Sequence, residues 1–315
     1  MSKIEVLQTG PYDTHDEKKL NEIFTMHRFF DVDNKEVFLE RHGASIKGIA
    51  TRGDLGASRS LIESLPNLEI ISIYGVGYDA VNLEAARDHN VTVTNTPDVL
   101  TKDCADLAVA MMLAQSRGVI GGHHWVVNGN WSQKGMYPLM RRAHGKRVGI
   151  LGLGRIGYEV ARRLAGFDME IFYSARNPRD VDANWTFVAD PVELAKKSDI
   201  LFVTLAASAE TRHIVNQEVL EALGPEGMLI NVSRAANIDE NALLDALEIG
   251  TIGSAAIDVF EGEPDINPRF LKLDNVLLQP HQASGTVETR KAMGDLVLNN
   301  LLAHFDGREV ITPVL

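Results

Sequence analysis

A glycine-rich turn between a strand and a helix constrains the fold of this chain more than any other feature of its sequence. The apolar run Arg147–Leu151 is typical of a buried strand, and a helical pattern covers Arg155–Ala165. Gly152, Gly154 and Gly157 lie between them at the spacing G-x-G-x-x-G. In this setting the first glycine permits a tight turn, the second lets a pyrophosphate approach the backbone, and the third lets the helix pack on the strand. We therefore expect a dinucleotide at the helix N-terminus, where free N–H groups attract phosphate; the alternative is a turn that binds nothing.

Strand and helix patterns alternate along most of the chain and predict two α/β units. The first series of strands is Ile4–Leu7, Ile46–Thr51, Ile70–Tyr74 and Val91–Thr94, with helices near Glu17–Met26, Arg59–Leu65 and Leu83–Asp88. After a long helix at Thr101–Arg117, the second series is Arg147–Leu151, Met169–Tyr173, Ile200–Leu205, Met228–Val232, Gly253–Val259 and Val276–Gln279. This order implies parallel sheets covered by helices. The last amphipathic helix, Val287–Phe305, is expected to return to the first unit, so the predicted domains are 1–100 with 286–315, and 101–285.

Composition limits the compartment and the partners. The chain has 315 residues, which suits two domains at roughly 100–200 residues each. Its net charge of -12 leaves no broad basic surface and argues against nucleic acid and membranes as partners. With Cys104 as the one cysteine no intrachain disulfide can form, and a cytoplasmic location fits. We expect no metal site, because the adjacent His123 and His124 cannot share a helix face as ligands would.

The residues after the second strand of the second series indicate which dinucleotide is preferred. An NAD site usually has an acid about 18–20 residues beyond the glycine motif, where it bonds the ribose hydroxyls. Ala175 stands at that distance here, and Ser174, Arg176 and Asn177 around it carry donors that suit a 2′-phosphate. We predict NADPH as the cofactor, with NADH bound more weakly. The alternative is that Arg176 is only a solvated surface charge.

Three polar residues, Arg234, Glu263 and His281, each follow a predicted strand of the second unit. Ligands of doubly wound sheets bind outside the carboxyl ends of the strands, so we expect all three near the nicotinamide. Reduction of a 2-oxo acid requires a proton for the carbonyl oxygen, and a protonated histidine can donate it. A carboxylate stabilises the imidazolium, and an arginine holds the substrate carboxylate. Taken singly, each residue could be structural or solvated, so the prediction depends on their occurring together.

Taken in order, these motifs resemble the D-isomer-specific 2-hydroxyacid dehydrogenase family, and within it the glyoxylate/hydroxypyruvate reductase branch. The matching stretches cover nearly the whole chain: 74–79, 100–107, 145–157, 231–234, 258–264 and 280–281. The resemblance implies an α/β fold with two doubly wound parallel-sheet domains, in which a Rossmann cofactor domain is inserted in a flavodoxin-like substrate domain. The sequence departs from the family pattern at 205–208, Ala235 and Gln282, which blurs the substrate assignment.

The resemblance also implies roles for individual residues. Arg234 would bind substrate, Glu263 would pair with His281, and His281 would be the acid/base. Asp258 would hold the nicotinamide carboxamide. The further cofactor-binding positions are Thr101, Arg155, Ile156 and Val232. The backbone at Val76 and Gly77 would meet the substrate carboxylate, and Arg52 is either a second cation for that carboxylate or a surface charge.

The segment between the long helix and the glycine motif predicts a homodimer. In the family that the sequence resembles, this stretch builds the dimer interface. Here it contains large apolar and aromatic residues that suit interface anchors, namely Trp125, Trp131, Met136, Tyr137 and Leu139. The alternative is that they pack on the core of their own chain.

Three functions are compatible with a dinucleotide motif of this kind. The first is an NADPH-dependent reductase of glyoxylate, hydroxypyruvate or a similar 2-oxo acid, which gives the D-2-hydroxy acid. The second is a dinucleotide-sensing binding protein, but a sensor does not need the proton donor that the set around His281 supplies. The third is formate oxidation, for which the resemblance predicts glutamine where Glu263 stands. We therefore favour the reductase.

Overall fold

The computed structural model describes residues 3–315, which form two compact units. Unit 1 contains the chain up to Leu100 and Gly285–Leu315, and unit 2 is Thr101–Ser284. Each unit contains one parallel β-sheet with helices packed on it. The predicted fold class, α/β with two doubly wound parallel sheets, is confirmed.

Unit 1 is built on a sheet whose strand order is β2-β1-β3-β4-β5. Its strands are β1 (Glu5–Gln8), β2 (Thr25–Arg28), β3 (Ile46–Arg52), β4 (Ile70–Tyr74) and β5 (Thr92–Thr94). Its helices are α1 (Thr14–Ile23), α2 (Lys35–His42), α3 (Arg59–Glu63), α4 (Leu83–Asp88) and α12 (Val287–Phe305), with a 3₁₀ turn at Phe29–Asp31. This is the flavodoxin-like order. All five residues of β4 are buried, as expected for an inner strand of a parallel sheet covered by helices, and α12 packs on this strand.

Unit 2 is built on a sheet whose strand order is β12-β11-β10-β9-β6-β7-β8. Its strands are β6 (Arg147–Leu151), β7 (Glu170–Ser174), β8 (Thr186–Phe187), β9 (Ile200–Val203), β10 (Met228–Asn231), β11 (Ser254–Ile257) and β12 (Val276–Leu278). Its helices are α5 (Thr101–Arg117), α6 (Val119–Val127), α7 (Asn130–Lys134), α8 (Arg155–Leu164), α9 (Pro191–Lys196), α10 (Gln217–Leu223) and α11 (Glu240–Ile249). Further 3₁₀ turns lie at Ala165–Phe167, Ala235–Asn237 and Phe270–Lys272. The order reverses between β6 and β9, which is where a Rossmann sheet binds its ligand.

The N-terminal region differs from its predicted pattern. The helix expected near Glu17–Met26 is α1, Thr14–Ile23, and Thr25 and Met26 belong to strand β2. The following helix α2 was not predicted. It has no buried side chain, so no apolar stripe signalled it in the sequence. Within residues 3–315, no helix is both long and apolar enough to span a membrane.

Candidate active site

The three glycines of the motif after β6 have different structural roles. Gly152 has φ of 104°, in the region that favours glycine, and its N–H and that of Leu153 both donate to the carbonyl of Ser174. A Cβ on Gly157 would lie 2.3 Å from the carbonyl oxygen of Gly152, so the close packing of α8 on the turn requires glycine. A Cβ on Gly154 would meet no atom within 4 Å, because this residue faces outward from the turn.

The N-terminus of α8 has the features of an anion site. Gly154 is the N-cap and makes no side-chain hydrogen bond to the first turn, so this turn is not capped from within. The helix dipole favours negative charge here, and Gly154 leaves the backbone open to a close approach. Arg155 is exposed and Ile156 is half-buried in the same turn. A dinucleotide pyrophosphate fits this combination of open glycine and uncapped helix start.

The loop after β7 holds the residues predicted to contact a 2′-phosphate. The hydroxyl of Ser174 is buried and donates to the carbonyl of Ala189 at 3.2 Å, so its one proton is already used inside the unit. Arg176 and Asn177 are exposed. The guanidinium of Arg176 lies 3.7 Å from the carboxylate of Glu210, and both side chains are at least 80% exposed. Of the predicted donors, Arg176 and Asn177 therefore remain suited to the phosphate.

His281 and Glu263 form the most specific contact of the candidate site. Nδ1 of His281 lies 2.7 Å from Oε2 of Glu263, and the other carboxylate oxygen accepts the backbone N–H of Phe260, also at 2.7 Å. A carboxylate fixed at both oxygens can hold the imidazole in one orientation with a proton on Nδ1. The His281 side chain remains 33% exposed, so Nε2 is the nitrogen left for proton exchange with a substrate.

Asp258 holds the loop that carries His281, a role that the sequence did not reveal. Its carboxylate is fully buried and accepts the backbone N–H groups of Gln282 and Ala283 at 2.7 and 2.9 Å. Its own carbonyl accepts the N–H of His281 at 2.9 Å. Burial raises the pKa of Asp258, while the two backbone hydrogen bonds and the nearby His281 oppose that rise. Because His281 itself has a φ of 54°, an uncommon value for a non-glycine residue, these bonds stabilise a conformation that would otherwise cost energy.

Arg234 lies on a turn that a buried polar network supports. Asn231 accepts hydrogen bonds from the backbone and hydroxyl of Ser233, and its amide donates to the carbonyl of Arg234. Asn237 donates to the Ser233 hydroxyl and to the carbonyl of Leu205. One guanidinium nitrogen of Arg234 donates to the Ser233 carbonyl at 2.9 Å. Asn231 is the last residue of β10 and Asn237 follows this strand, but nothing in their spacing indicated the network.

In unit 1, the predicted substrate-binding loop follows β4. The N–H of Gly75 donates to the Thr96 hydroxyl, and the Asn95 amide donates to the carbonyl of Val76. Within residues 3–315, the N–H groups of Val76 and Gly77 donate to no acceptor, as a carboxylate-binding backbone requires.

Arg52, at the end of β3, is already paired. Its guanidinium donates to both carboxylate oxygens of Asp54, at 3.0 and 2.9 Å. Of the two interpretations left open by the sequence, this contact favours the surface ion pair over a second cation for the substrate.

The remaining predicted cofactor positions and the predicted interface lie in unit 2. Thr101 begins α5 and is buried, as is Val232 directly after β10. The helices α6 and α7 and the segment after them expose an unusual number of large apolar side chains, namely Val119, Ile120, Val126, Val127, Trp131, Met136, Leu139 and Met140. Trp125 and Tyr137 instead pack edge to face on each other, with ring centroids 5.6 Å apart.

A Rossmann sheet with an open glycine turn and a carboxylate-bound histidine is typical of nicotinamide-dependent oxidoreductases. The family described as D-isomer specific 2-hydroxyacid dehydrogenase, NAD binding domain, matches residues 109–283. Over all 315 residues the chain is 44% identical to hydroxyphenylpyruvate reductase of Plectranthus scutellarioides, with each chain covered completely.

Solved structures show the same relationship. A 2-hydroxyacid dehydrogenase of Ketogulonicigenium vulgare has 63% identity and a TM-score of 0.93, covering 100% of this chain and 99% of its own. The NADPH-dependent glyoxylate/hydroxypyruvate reductase of Sinorhizobium meliloti, in complex with NADP and malonate, has 39% identity and a TM-score of 0.90, with 99% and 97% covered.

The chain therefore belongs to the D-isomer-specific 2-hydroxyacid dehydrogenase family, and the resemblance found in the sequence is confirmed. It is an oxidoreductase that transfers a hydride between a nicotinamide dinucleotide and a small 2-oxo or 2-hydroxy acid.

Proposed function

We propose that this enzyme works as a reductase of small 2-oxo acids, with glyoxylate and hydroxypyruvate as substrates, NADPH as the preferred cofactor and a D-2-hydroxy acid as product. The observation that carries the chemistry is the contact between His281 Nδ1 and Glu263 Oε2 at 2.7 Å. A carboxylate at Nδ1 fixes the orientation of the ring and leaves Nε2 as the nitrogen that can give a proton to the carbonyl oxygen of the substrate.

Four residues of unit 2 have separate roles in the proposed reaction. The reduced nicotinamide, when bound, supplies the hydride to the carbonyl carbon. His281 donates its Nε2 proton to the carbonyl oxygen as negative charge develops there, and its Nδ1 proton stays hydrogen-bonded to Glu263. Arg234 binds the substrate carboxylate through its charged fork. Asp258 positions the His281 loop through Gln282 and Ala283.

The remaining predicted contacts are part of the same proposal. For unit 1, the N–H groups of Val76 and Gly77 would bind the substrate carboxylate. In unit 2, Gly152, Gly154, Arg155, Ile156 and Gly157 would bind the pyrophosphate, and Thr101 and Val232 would complete the cofactor-binding set. The buried carboxylate of Asp258 has accepting capacity left for the nicotinamide carboxamide, since each of its oxygens accepts one N–H from the loop.

The preference for NADPH is supported by the loop after β7. Ala175 provides no acid for the ribose hydroxyls, and Arg176 is an exposed cation held only loosely by Glu210 at 3.7 Å. The similarity to the NADPH-dependent enzyme of Sinorhizobium meliloti agrees with this choice. Because the hydroxyl of Ser174 is used internally, we assign the 2′-phosphate to Arg176 and Asn177 and leave Ser174 out.

A substrate panel with both cofactors tests the proposal. We would measure kcat/KM for glyoxylate, hydroxypyruvate and hydroxyphenylpyruvate with NADPH and with NADH, following the loss of reduced nicotinamide. The proposal predicts the highest values for the two smaller acids with NADPH. A higher value for hydroxyphenylpyruvate would assign the enzyme to larger substrates, and a higher value with NADH would overturn the cofactor choice.

We also propose that the enzyme is a homodimer joined through α6, α7 and the segment that follows. The exposed side chains there include Val127, Trp131 and Leu139, with 65%, 59% and 100% of their surface accessible. A contiguous stretch with so many apolar side chains in water is typical of a surface that a partner covers. The resemblance of the sequence to the 2-hydroxyacid dehydrogenase family implies that this partner is a second copy of the chain.

A further inference from the structure

Three potential metal ligands from distant parts of the sequence meet in unit 1. Glu5 is in β1, His27 is in β2 and His42 is the last residue of α2. One ligand atom of each lies within 4.8 Å of the other two, and within residues 3–315 this is the one cluster of three or more His, Cys, Asp or Glu side chains that meets this condition. The cluster is separate from the glycine turn and from His281, which belong to unit 2.

The fold fixes two of these residues on neighbouring strands. In the parallel register of β1 and β2, Glu5 pairs with Thr25 and Leu7 pairs with His27, so Glu5 and His27 are one pleat apart on the same side. Nε2 of His27 lies 2.7 Å from Oε2 of Glu5. The two side chains therefore already point at each other.

The chain after α2 brings the third residue to the same place. Ser45 donates its hydroxyl to Oε2 of Glu5 at 2.6 Å, and its backbone N–H donates to the carbonyl of His42 at 2.9 Å. Phe38 packs against both imidazoles, stacked on His42 with ring centroids 4.8 Å apart and edge to face with His27 at 5.5 Å. These contacts limit the orientations of both rings.

The donor set matches a common type of zinc site. Two imidazoles and one carboxylate are a known zinc set, in which a water occupies the fourth position. With bonds of about 2.0–2.1 Å, tetrahedral ligand atoms are about 3.3 Å apart. To reach that geometry, the ligand atoms of Glu5 and His27, now 2.7 Å apart, must separate by about 0.6 Å. The ligand atom of His42, which lies within 4.8 Å of the other two, must approach them by no more than about 1.5 Å.

Ser45 supports the proposed ligand Glu5. Its hydroxyl donates to Oε2 of Glu5 at 2.6 Å. Because Ser45 contacts Glu5 and is not one of the three proposed ligands, it has the position of a residue that orients a ligand.

We propose that Glu5, His27 and His42 bind one divalent transition-metal ion, Zn²⁺ being the ion that the donor set fits best, and that the bound ion stabilises unit 1. The strand β2 is four residues long and lies at the edge of the sheet, where, among residues 3–315, its one neighbouring strand is β1. A metal bound by these ligands joins β2 to β1 and to the end of α2. The role is structural and is independent of the proposed hydride transfer.

Metal binding is tested directly on the purified full-length enzyme, stripped with a chelator. Titration with Co²⁺ should give visible absorption bands of a low-symmetry site at one ion per chain, and Zn²⁺ should displace it. Ser45→Ala should raise Kd for Zn²⁺ about tenfold, because Ser45 only orients a ligand. His42→Ala, at an exposed position, and Glu5→Gln each remove a ligand and should raise Kd by more than that.

Two histidine variants serve as matched controls. His304 also faces a glutamate in unit 1, with Nε2 3.4 Å from a carboxylate oxygen of Glu69. Among residues 3–315, this pair is not part of a cluster of three potential metal ligands. His304→Ala should therefore bind Zn²⁺ like the wild type. His281→Ala should do the same. Loss of binding in His281→Ala, or full binding in both His42→Ala and Glu5→Gln, would overturn the proposal, as would the absence of stoichiometric binding in the wild type.

Thermal unfolding tests the structural role. A ligand that binds only the folded state raises its stability by about 2.7 kcal/mol at a free concentration of a hundred times Kd. Zn²⁺ should therefore raise Tm of the wild type and of His304→Ala at pH 7.5, and should leave Tm of His42→Ala unchanged. An equal rise in His42→Ala would mean that the ion stabilises the protein from another site.

Discussion

Oε2 of Glu263 lies 2.7 Å from Nδ1 of His281, although 18 residues separate the two in the sequence. Three further hydrogen bonds make this contact rigid. Phe260 N–H holds the other oxygen of Glu263, and Asp258 holds the backbone on the far side of His281 through Gln282 and Ala283. The pair is thus preorganised in the protein itself, which is the property expected of an acid that must meet a carbonyl oxygen in one orientation.

The first prediction concerns the proton donor. His281→Ala should lower kcat for glyoxylate reduction by about 10²–10⁴-fold, the usual contribution of a positioned acid. NADPH binding, measured by fluorescence titration, should stay within about twofold, because the acid acts on the substrate. Wild-type kcat in this variant would exclude His281 from the mechanism.

Glu263→Gln should lower kcat for glyoxylate reduction by less than His281→Ala does. The amide can still hydrogen-bond Nδ1 of His281 and orient the ring, but it provides no negative charge when His281 acts as the acid. A loss of kcat as large as that of His281→Ala would show that the charge of Glu263, and not only its hydrogen bond, is required.

The second prediction concerns the cofactor. Arg176→Ala should raise KM for NADPH by about ten- to a hundredfold, the worth of a hydrogen bond to a charged partner, and leave KM for NADH nearly unchanged. Glu210→Gln should lower KM for NADPH by up to about fivefold, since it removes a weak competing ion pair.

Arg179 provides the matched control for this experiment, because it is another exposed arginine in the same loop. Arg179→Ala should leave both KM values near those of the wild type. A larger effect of Arg179→Ala than of Arg176→Ala would move the phosphate contact to Arg179, and equal losses for both cofactors would show that this loop does not distinguish them.

The third prediction concerns the proposed homodimer. Val127→Asp and Leu139→Asp place a charge in the exposed apolar stretch and should shift sedimentation velocity profiles from dimer to monomer. Ile249→Asp is the control, since Ile249 is 81% exposed in unit 2 but lies at the end of α11. Monomeric wild-type protein, or equal dissociation of the Ile249 variant, would contradict the proposed interface.

The sequence predicts some parts of this molecule well because their patterns are long or chemically specific. The bounds of β4 and α12 agree with the predicted Ile70–Tyr74 and Val287–Phe305, since one is continuously buried and the other is a long helix whose buried residues recur every three or four positions. By contrast, β2 has no buried residue and α2 buries no side chain, so neither produced a pattern.

The same distinction applies to the candidate site. His281, Glu263 and Arg234 could be selected because each is a chemically distinctive residue after a strand. The supporting bonds of Asp258 and Asn237 join side chains to backbone groups or to residues far along the chain, and no spacing reveals such bonds. The cluster of Glu5, His27 and His42 was missed for the same reason, because three separate elements bring its residues together.

The last prediction concerns a buried carboxylate in unit 1. Asp16 is 2% exposed, and its side chain packs directly against Gly294 of α12. One of its oxygens accepts the Tyr74 hydroxyl at 3.3 Å, whereas Oδ1 has no hydrogen-bond partner within residues 3–315. Burial raises the pKa of Asp16, and the Tyr74 hydrogen bond only partly opposes the rise.

A raised pKa means that the folded state binds a proton more tightly than the unfolded state does, so stability from Asp16 falls as pH rises through the folded pKa. Asp16→Asn stays neutral and should be more stable than the wild type at pH 7. The difference should shrink as the pH falls and disappear below the ordinary pKa of an aspartate, where Asp16 is protonated in both the folded and the unfolded state. Asp295→Asn is the control with the opposite sign. Burial raises the pKa of Asp295, but the ion pair with Lys19 outweighs burial and lowers it. Loss of this ion pair in Asp295→Asn should therefore destabilise the protein at pH 7. Urea unfolding of the three proteins at several pH values measures both effects. A lower unfolding free energy for Asp16→Asn at pH 7 would show that the Asp16 carboxylate stabilises unit 1 in its charged form.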